Sequence, residues 1–196
     1  KVLCLVNGAF SKRWYNIALQ LGREARAIEV PMGEVVALDS DDGEQLWRSE
    51  VSSEVLAAPT SNGTLVVAQT IDGHVLGLDG GTGEQIWDYE TTVPNLTLLG
   101  GAQPVIVNGR VYAGFASGKV AAIEADTGAP LWERRVAEPS GRSELDRLVD
   151  VNANMLVENG GVFTATIRDF TGTRTDDTHA PQKRNLEILY QEIETT

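Results

Sequence analysis

One cysteine and two histidines are all the thiol and imidazole ligands in this chain: Cys4, His74 and His179. A lone thiol closes no disulfide within the chain and builds no cysteine-based metal cluster. Neither histidine stands at a ligand spacing from suitable partners, and no Ser–His–Asp arrangement can be argued. Both are expected on the surface, His179 in a loop and His74 in a turn. Cations are scarce as well. Only 16 Lys and Arg stand against 28 Asp and Glu, giving a formal net charge of −12 and a pI near 4.5. Nucleic acid is therefore not expected as a partner, because phosphate binding wants clustered Lys and Arg. The acidic surface is read as a solubility feature. No apolar run reaches the ~18 residues of a membrane-spanning helix. The opening KVLCLV lacks a basic flank, a long apolar stretch and a small-residue cleavage site, so it is not expected to be a secretion signal. Val2-Leu3 before Cys4 does not suit a lipoprotein box either. With 42% apolar residues the chain still has enough to bury a core.

What the chain does have is a sentence written three times. VVALDSDDGEQLWRSE (35–50) and VLGLDGGTGEQIWDYE (75–90) align without a gap, and VAAIEADTGAPLWERR (120–135) is a third copy. The tryptophans closing the three phrases are Trp47, Trp87 and Trp132, at intervals of 40 and 45 residues. A period in this range marks a repeat architecture.

One period, residues 51–90, contains four short strand signals. EVLAAPTSNG ends on Asn62-Gly63, a dipeptide suited to a tight hairpin because both residues tolerate positive φ. TLVVAQT follows, rich in β-branched residues. Asp72-Gly73 makes a turn, HVLGLD is the third strand, and GGTGE leads into QIWDYE as the fourth. Four strands in about 40 residues are one blade of a β-propeller. The next period repeats the order, with Asn108-Gly109, Ser117-Gly118 and Thr127-Gly128 at its turns. Its five extra residues fall near TTVPNLTLLGG, and insertions in repeats usually map to loops on one face, often a binding face. NANMLVENGGVFTATI carries the first two strands of a further blade and then breaks off. GEVVALDSDDGEQLWRSEV carries only the last two strands of an earlier one. The expected fold is therefore mainly β: a partial propeller of about two full blades and two half blades over residues 34–167. An α/β segment (1–33) precedes it, and a polar loop with an amphipathic helix (168–196) follows. Each tryptophan is expected to pack between neighbouring blades. Asp39, Asp79 and Glu124 are read as turn caps and not as metal ligands, because they recur one per blade.

Gly73-His74 and Trp87-Asp88 superficially suggest a WD repeat, but the 14 residues from His74 to Asp88 are too few. The pattern ALDxxxGxxxW fits better, with Asp39, Gly43 and Trp47, then Asp79, Gly83 and Trp87, then Glu124, Gly128 and Trp132. It resembles the quinoprotein-type propeller repeat. The longer text from Val93 to Ile167, and RVAEPSGRSELDRLVDV above all, resembles the BamB family of the outer-membrane β-barrel assembly machinery. That resemblance implies a protein-binding scaffold without catalysis, cofactor or metal, at the periplasmic face of the outer membrane. The implied partner is the central barrel-assembly subunit, held through its periplasmic domains by two loops, NLTLLG and RLVDVN. Carried over residue by residue, the contacts are Leu96, Leu98, Leu99, Arg147, Asp150 and Asn152. The family typically has Arg at the place of Leu99 and Asp at the place of Asn152, so charge pairing with the partner is reduced here.

The flanks depart from the repeat. KVLCLV reads as a strand and NGAFSKRWYNIALQLG as a helix, with Ser11 as N-cap and Gly22 at its end. Trp14, Ile17, Ala18 and Leu21 fall on one face, and REARAIEVP reads as a second strand. This βαβ unit wants a parallel sheet. Residues 5–34 resemble part of the large domain of class V aminotransferases, which use pyridoxal phosphate, yet the cofactor lysine with its surroundings is not recognisable. Near the other end, Pro181 suits a first helical turn, and Leu186, Leu189, Tyr190 and Ile193 form an apolar stripe. Three functions compete: a binding scaffold, an inactive or artificial mosaic, and the remnant of a quinoprotein or pyridoxal-phosphate enzyme. Two full blades cannot close a ring, so exposed edges and self-association are also expected.

Overall fold

The computed structural model describes residues 1–6, 9–29, 33–94, 101–138 and 149–168. The chain starts with the expected βαβ unit. β1 (Val2–Val6) is followed by α1 (Ala9–Gln20) and β2 (Ala25–Glu29), and β1 pairs with β2 in parallel, Val2 opposite Ala25 and Val6 opposite Glu29. α1 ends by the chemistry its last residues permit. Gly22 takes φ +66°, its N–H donates to the Leu19 carbonyl, and the Arg23 N–H donates to the Ala18 carbonyl at 3.0 Å. These are the two bonds of a Schellman cap with glycine at C′. Two expectations need correction. Ser11 lies inside α1 and not at its N-cap. Trp14 and Leu21 are each 70% exposed, so the apolar stripe turns only partly inward, with Ile17 and Ala18 half-buried.

The repeat begins at β3 (Glu34–Leu38) and β4 (Gln45–Glu50), an antiparallel hairpin that forms a sheet of two strands. β5 (Thr60–Ser61), β6 (Leu65–Gln69), β7 (His74–Asp79) and β8 (Gln85–Glu90) make a four-stranded meander in chain order. β9 (Val105–Val107), β10 (Arg110–Gly114), β11 (Lys119–Glu124) and β12 (Pro130–Arg135) make a second one. The last period supplies β13 (Val149–Val151), β14 (Leu156–Glu158), β15 (Gly161–Phe163) and β16 (Thr166–Arg168). β14 pairs with β15, and β13 pairs with β16, both antiparallel. The two full blades and two halves are thus as expected. The C-terminal helix expected over residues 181–196, and His179, lie outside the described residues.

The hairpins are held open by residues chosen for φ. Asn108 and Asn159 adopt φ +50° and +52°, each followed by a positive-φ glycine, the pairing that a tight primed turn requires. His74, expected in a turn, is instead the first residue of β7.

The core lies between sheets, as blade-on-blade packing demands. Val35, Trp47, Ala68, Leu76 and Leu78 fill the space between the first hairpin and the first full blade. Val67, Val75 and Trp87 meet Val111, Ala121, Ile123 and Ala125 between the full blades. Tyr112, Val120 and Ala122 meet Val151, Met155 and Val162 at the last one.

Candidate partner-binding surface

Each blade is clamped to the next by an indole. Trp47 Nε1 donates to the Gly80 carbonyl at 2.9 Å. Trp87 Nε1 donates to the Ala125 carbonyl at 2.7 Å. In both cases the acceptor lies in the third-to-fourth-strand turn of the following blade, and the ring lies over that turn's glycine. A β-carbon on Gly83 would stand 2.5 Å from Trp47 Cε3, and one on Gly128 would stand 2.8 Å from Trp87 Cβ. Across the hairpin the ring faces a small residue: Ala37, Gly77 or Ala122, each beside a register shift of the same kind. Trp132 departs from the rule. It is half-buried, tilted against Tyr112 with ring centroids 6.1 Å apart, and its buried Nε1 has no hydrogen-bond partner.

The acidic residue before each turn caps it. Asp79 Oδ1 accepts from the Gly81 and Thr82 backbone N–H groups at 2.9 and 2.8 Å, and these bonds hold its carboxyl below the usual range. Asp39 does the same with Asp41 and Asp42. Glu124, one methylene longer, instead accepts from the Thr127 hydroxyl.

A cross-strand ion pair recurs at one register position of each hairpin of third and fourth strands. Glu34 pairs with Arg48 at 2.9 Å, His74 with Asp88 at 2.8 Å, and Lys119 with Glu133 at 2.7 Å. All are diagonal neighbours on one face of antiparallel strands. The Asp88 hydrogen bond raises the His74 pKa against the opposing effect of burial. Glu133 also accepts from Tyr89 and Thr91 of the preceding blade, at 3.0 and 2.9 Å. Burial works to raise its pKa, and the bonds from Lys119, Thr91 and Tyr89 outweigh it and hold the carboxylate low. Burial and the Glu133 bond push Tyr89 up to about 12.

The two loops named from the sequence are described only in part, residues 95–100 and 147–148 being outside the described residues. Leu96, Leu98, Leu99 and Arg147 lie outside the described residues. Residues just after the first loop and near the end of the second are described, and they share one apolar cluster. A β-carbon on Gly114 would stand 2.5 Å from Val151 Cγ1 and 3.5 Å from Ala102 Cβ. Ala102 follows the first loop, and Val151 is the fifth residue of the second. The carbonyl of the same glycine accepts from Gln69 Nε2 of the preceding blade at 2.8 Å. Gln103 ties the first loop's root to both neighbours, its N–H donating to Asn154 Oδ1 and its side-chain amide to the Pro59 carbonyl, each at 3.3 Å. The described residues on either side of 139–148 also come together beside Gly118. A β-carbon on Gly118 would stand 2.5 Å from the Ala137 carbonyl and 3.0 Å from Val149 Cγ1.

Asp150 and Asn152 flank Val151 on and after β13. Asp150 is fully buried, opposite Ile167 in the β13–β16 pair, so its carboxylate works inside the blade. Asn152 is half-buried, and its Oδ1 has no hydrogen-bond partner. Gly114, Gln69 and Gln103 were not singled out from the sequence. A glycine within a strand signals close approach of another backbone or ligand, and Gly114 in RVYAGFA carried that signal. Nothing in the sequence marked the two glutamines. Among the described residues no group of three or more His, Cys, Asp and Glu could hold a metal ion, and no helix is long and apolar enough to cross a membrane.

Comparison with known proteins gives consistent matches. The family model described as outer membrane protein assembly factor BamB matches residues 26–180. The protein of that name from Vibrio cholerae is 45% identical over 114 residues, 58% of this chain and 30% of its own length. That from Nitrosomonas eutropha is 37% identical over 136 residues, 69% of this chain and 33% of its own. The crystal structure of BamB from Moraxella catarrhalis superposes with a TM-score of 0.66 at 34% identity, covering 69% of this chain and 41% of that one. A europium-containing methanol dehydrogenase, 16% identical with a TM-score of 0.52, shares the fold alone. The chain spans about a third of the length of the curated relatives it matches.

Proposed function

The chain belongs to the BamB family of outer membrane protein assembly factors, and on that premise we propose that it is a non-catalytic protein-binding scaffold in outer-membrane β-barrel assembly. It works at the periplasmic face of that membrane and docks the periplasmic domains of the central assembly subunit. Docking uses the loops at residues 95–100 and 147–152. The observation that carries this reading is the convergence on Gly114. Ala102, just after the first loop, and Val151, within the second, both stand beside the place where a Gly114 β-carbon would be, at 3.5 and 2.5 Å, although they are 49 residues apart in sequence. That proximity supports a single docking surface, since a scaffold of fixed strands positions a binding loop at little entropic cost.

By resemblance Leu96, Leu98 and Leu99 are the apolar contacts and Arg147 the charged one. Asn152, whose Oδ1 lacks a partner, offers an acceptor. Asp150, fully buried on β13, belongs to the support of the second loop. Leu96→Asp with Leu98→Asp is expected to reduce capture of the subunit's periplasmic domains by about tenfold or more, the cost of about 1.4 kcal/mol at a contact centre. The far-UV circular dichroism should be unchanged. Capture that is indifferent to both changes would remove the docking site. The non-catalytic part of the proposal has its own check. Absorbance after incubation with pyridoxal phosphate or with a quinone cofactor is expected to show no bound species, and a stoichiometric shift would favour the enzyme-remnant reading.

A further inference from the structure

Three connections lead out of a fourth strand, from β4, β8 and β12, and each begins the same way. The Val51 N–H donates to the Gly33 carbonyl, the Thr91 N–H to that of Gly73 and the Val136 N–H to that of Gly118, at 2.8, 3.0 and 2.8 Å. The side chains then differ. Val51 and Val136 have nothing to donate. Thr91 is buried, and its hydroxyl donates to Glu133 Oε2 of the next blade at 2.9 Å. Thr91 heads the connection that contains the first docking loop, and Leu96 lies five residues beyond it. The second loop needs no such anchor at Val136, because its last residues lie on β13 itself. We propose that Glu133 is a positioning residue for the first docking loop: by holding Thr91 it fixes where the chain leaves its blade, and so how Leu96, Leu98 and Leu99 are presented. This rests on the docking function proposed above and adds to it a residue of β12 that lies in neither loop.

The carboxylate is built for this. An ionised Glu only accepts, so several donors share it without conflict. Lys119 holds Oε1 at 2.7 Å, and Tyr89 and Thr91 hold Oε2. Together these bonds keep Glu133 ionised against its burial, and bonds to a charged acceptor are the stronger kind. The preceding hairpin lacks the device. Asp88 stands at the place of Glu133, is one methylene shorter and bonds His74, and the connection before it begins at Val51, which offers no donor. The far end of the first loop is fixed by other means. Ala102 and Pro104 are fully buried, and Gln103 bonds Asn154 Oδ1 and the Pro59 carbonyl. Residues 92–101 thus run between two fixed ends. Freeing the first end adds conformations that docking must then remove.

The two hydroxyls on one oxygen separate positioning from plain support. Tyr89 belongs to β8, before the connection, and Thr91 belongs to the connection itself. Removing either hydroxyl takes one bond from Glu133 and weakens the seam between the blades. Only the loss of the Thr91 hydroxyl releases the entrance to the loop. A carboxylate that merely held two blades together would feel both losses alike.

The test measures capture of the subunit's periplasmic domains by the whole 196-residue chain, with hydrogen exchange followed at residues 92–101. Thr91→Val keeps the shape and deletes the hydroxyl; it is expected to weaken capture about fivefold and to speed exchange in that segment. Thr91→Ser restores the donor and should stay within about twofold of the wild type in both measurements. Tyr89→Phe should lower the urea midpoint and leave capture and exchange within about twofold. Should Thr91→Val fail to unfold cooperatively, Thr91→Ala takes its place with the same expected outcomes. If Leu96→Asp with Leu98→Asp removes capture and Thr91→Val does not weaken it, the positioning role is overturned and the docking site stands. Equal weakening by Tyr89→Phe also overturns that role, because Glu133 then serves the seam alone. Capture indifferent to both leucine changes overturns the docking site and this inference with it.

Discussion

Replacing Gly83 with alanine separates the two things this glycine does. Gly43, Gly83 and Gly128 share one place in the repeat and one backbone conformation, with φ of +72°, +76° and +72°. An alanine at any of them meets the left-handed penalty of about 1–2 kcal/mol, partly offset by about 0.4–1 kcal/mol from a stiffer unfolded chain. The surroundings then divide them. A methyl on Gly43 meets only Leu3 Cδ2 at 3.6 Å, an ordinary contact. On Gly83 it meets the Trp47 ring at 2.5 and 2.7 Å, and on Gly128 it meets Trp87 at 2.8 Å. Forcing a methyl into a packed seam costs a further ~1–3 kcal/mol. Gly43→Ala should therefore lose about 1 kcal/mol or less, and Gly83→Ala and Gly128→Ala about 2–4 kcal/mol each. Urea unfolding followed by circular dichroism measures this, provided the slopes with denaturant stay equal among the variants. In a Trp47→Ala background the ring is gone, so Gly83→Ala should fall back to the Gly43→Ala value. Equal losses at all three glycines, or no coupling to Trp47, would show that the indole does not hold the blades in the manner argued.

Trp87→Phe keeps most of the ring and deletes the donor to the Ala125 carbonyl, which leaves that buried oxygen unpaired; a loss of about 2 kcal/mol is expected in the same assay, and a change under about 0.5 kcal/mol would remove the bond from the account. Alkaline titration by tyrosine absorbance should show one group ionising near 12, assigned to Tyr89, and Tyr89→Phe should abolish that last step. The His74 pKa, raised by its bond to Asp88, sets a sign. The folded value lies above the unfolded one, so the pair stabilises the fold fully below about 6.5, and this contribution fades as pH rises through the folded value. Asp88→Asn should lower the His74 pKa seen by proton NMR, and an unchanged value would place the histidine's charge elsewhere.

Much of the fold was legible because some positions in a blade accept one residue type for one reason. A turn at φ near +72° takes glycine, so Gly43, Gly83 and Gly128 recur, and an indole lies over the last two. An Asp side chain reaches the two N–H groups that follow it, so Asp39 and Asp79 recur. These columns repeat as letters and are found by eye. The exposed Trp14 marks the opposite limit. Periodicity finds an apolar stripe on α1 and does not say what covers it.

The seam chemistry stayed hidden for a different reason. At one register position the three hairpins carry Glu34–Arg48, His74–Asp88 and Lys119–Glu133. The first pair has its acid on the third strand, and the other two have it on the fourth. What repeats is a charge product between strands, which leaves no repeated letter in either column. The bonds that join one blade to the next are of this kind as well. Tyr89 and Thr91 reach Glu133, and Gln69 reaches the Gly114 carbonyl, each across more than 40 residues of chain. A partner so distant in sequence is free to vary with its mate, so such pairs become visible only when the blades are set side by side. Trp132 joins both cases. Its letter recurs with Trp47 and Trp87, but its acceptor does not, because no third-to-fourth-strand turn stands opposite it among the described residues. A repeated residue thus reports the role of its own blade, and whether that role is fulfilled depends on the blade that follows.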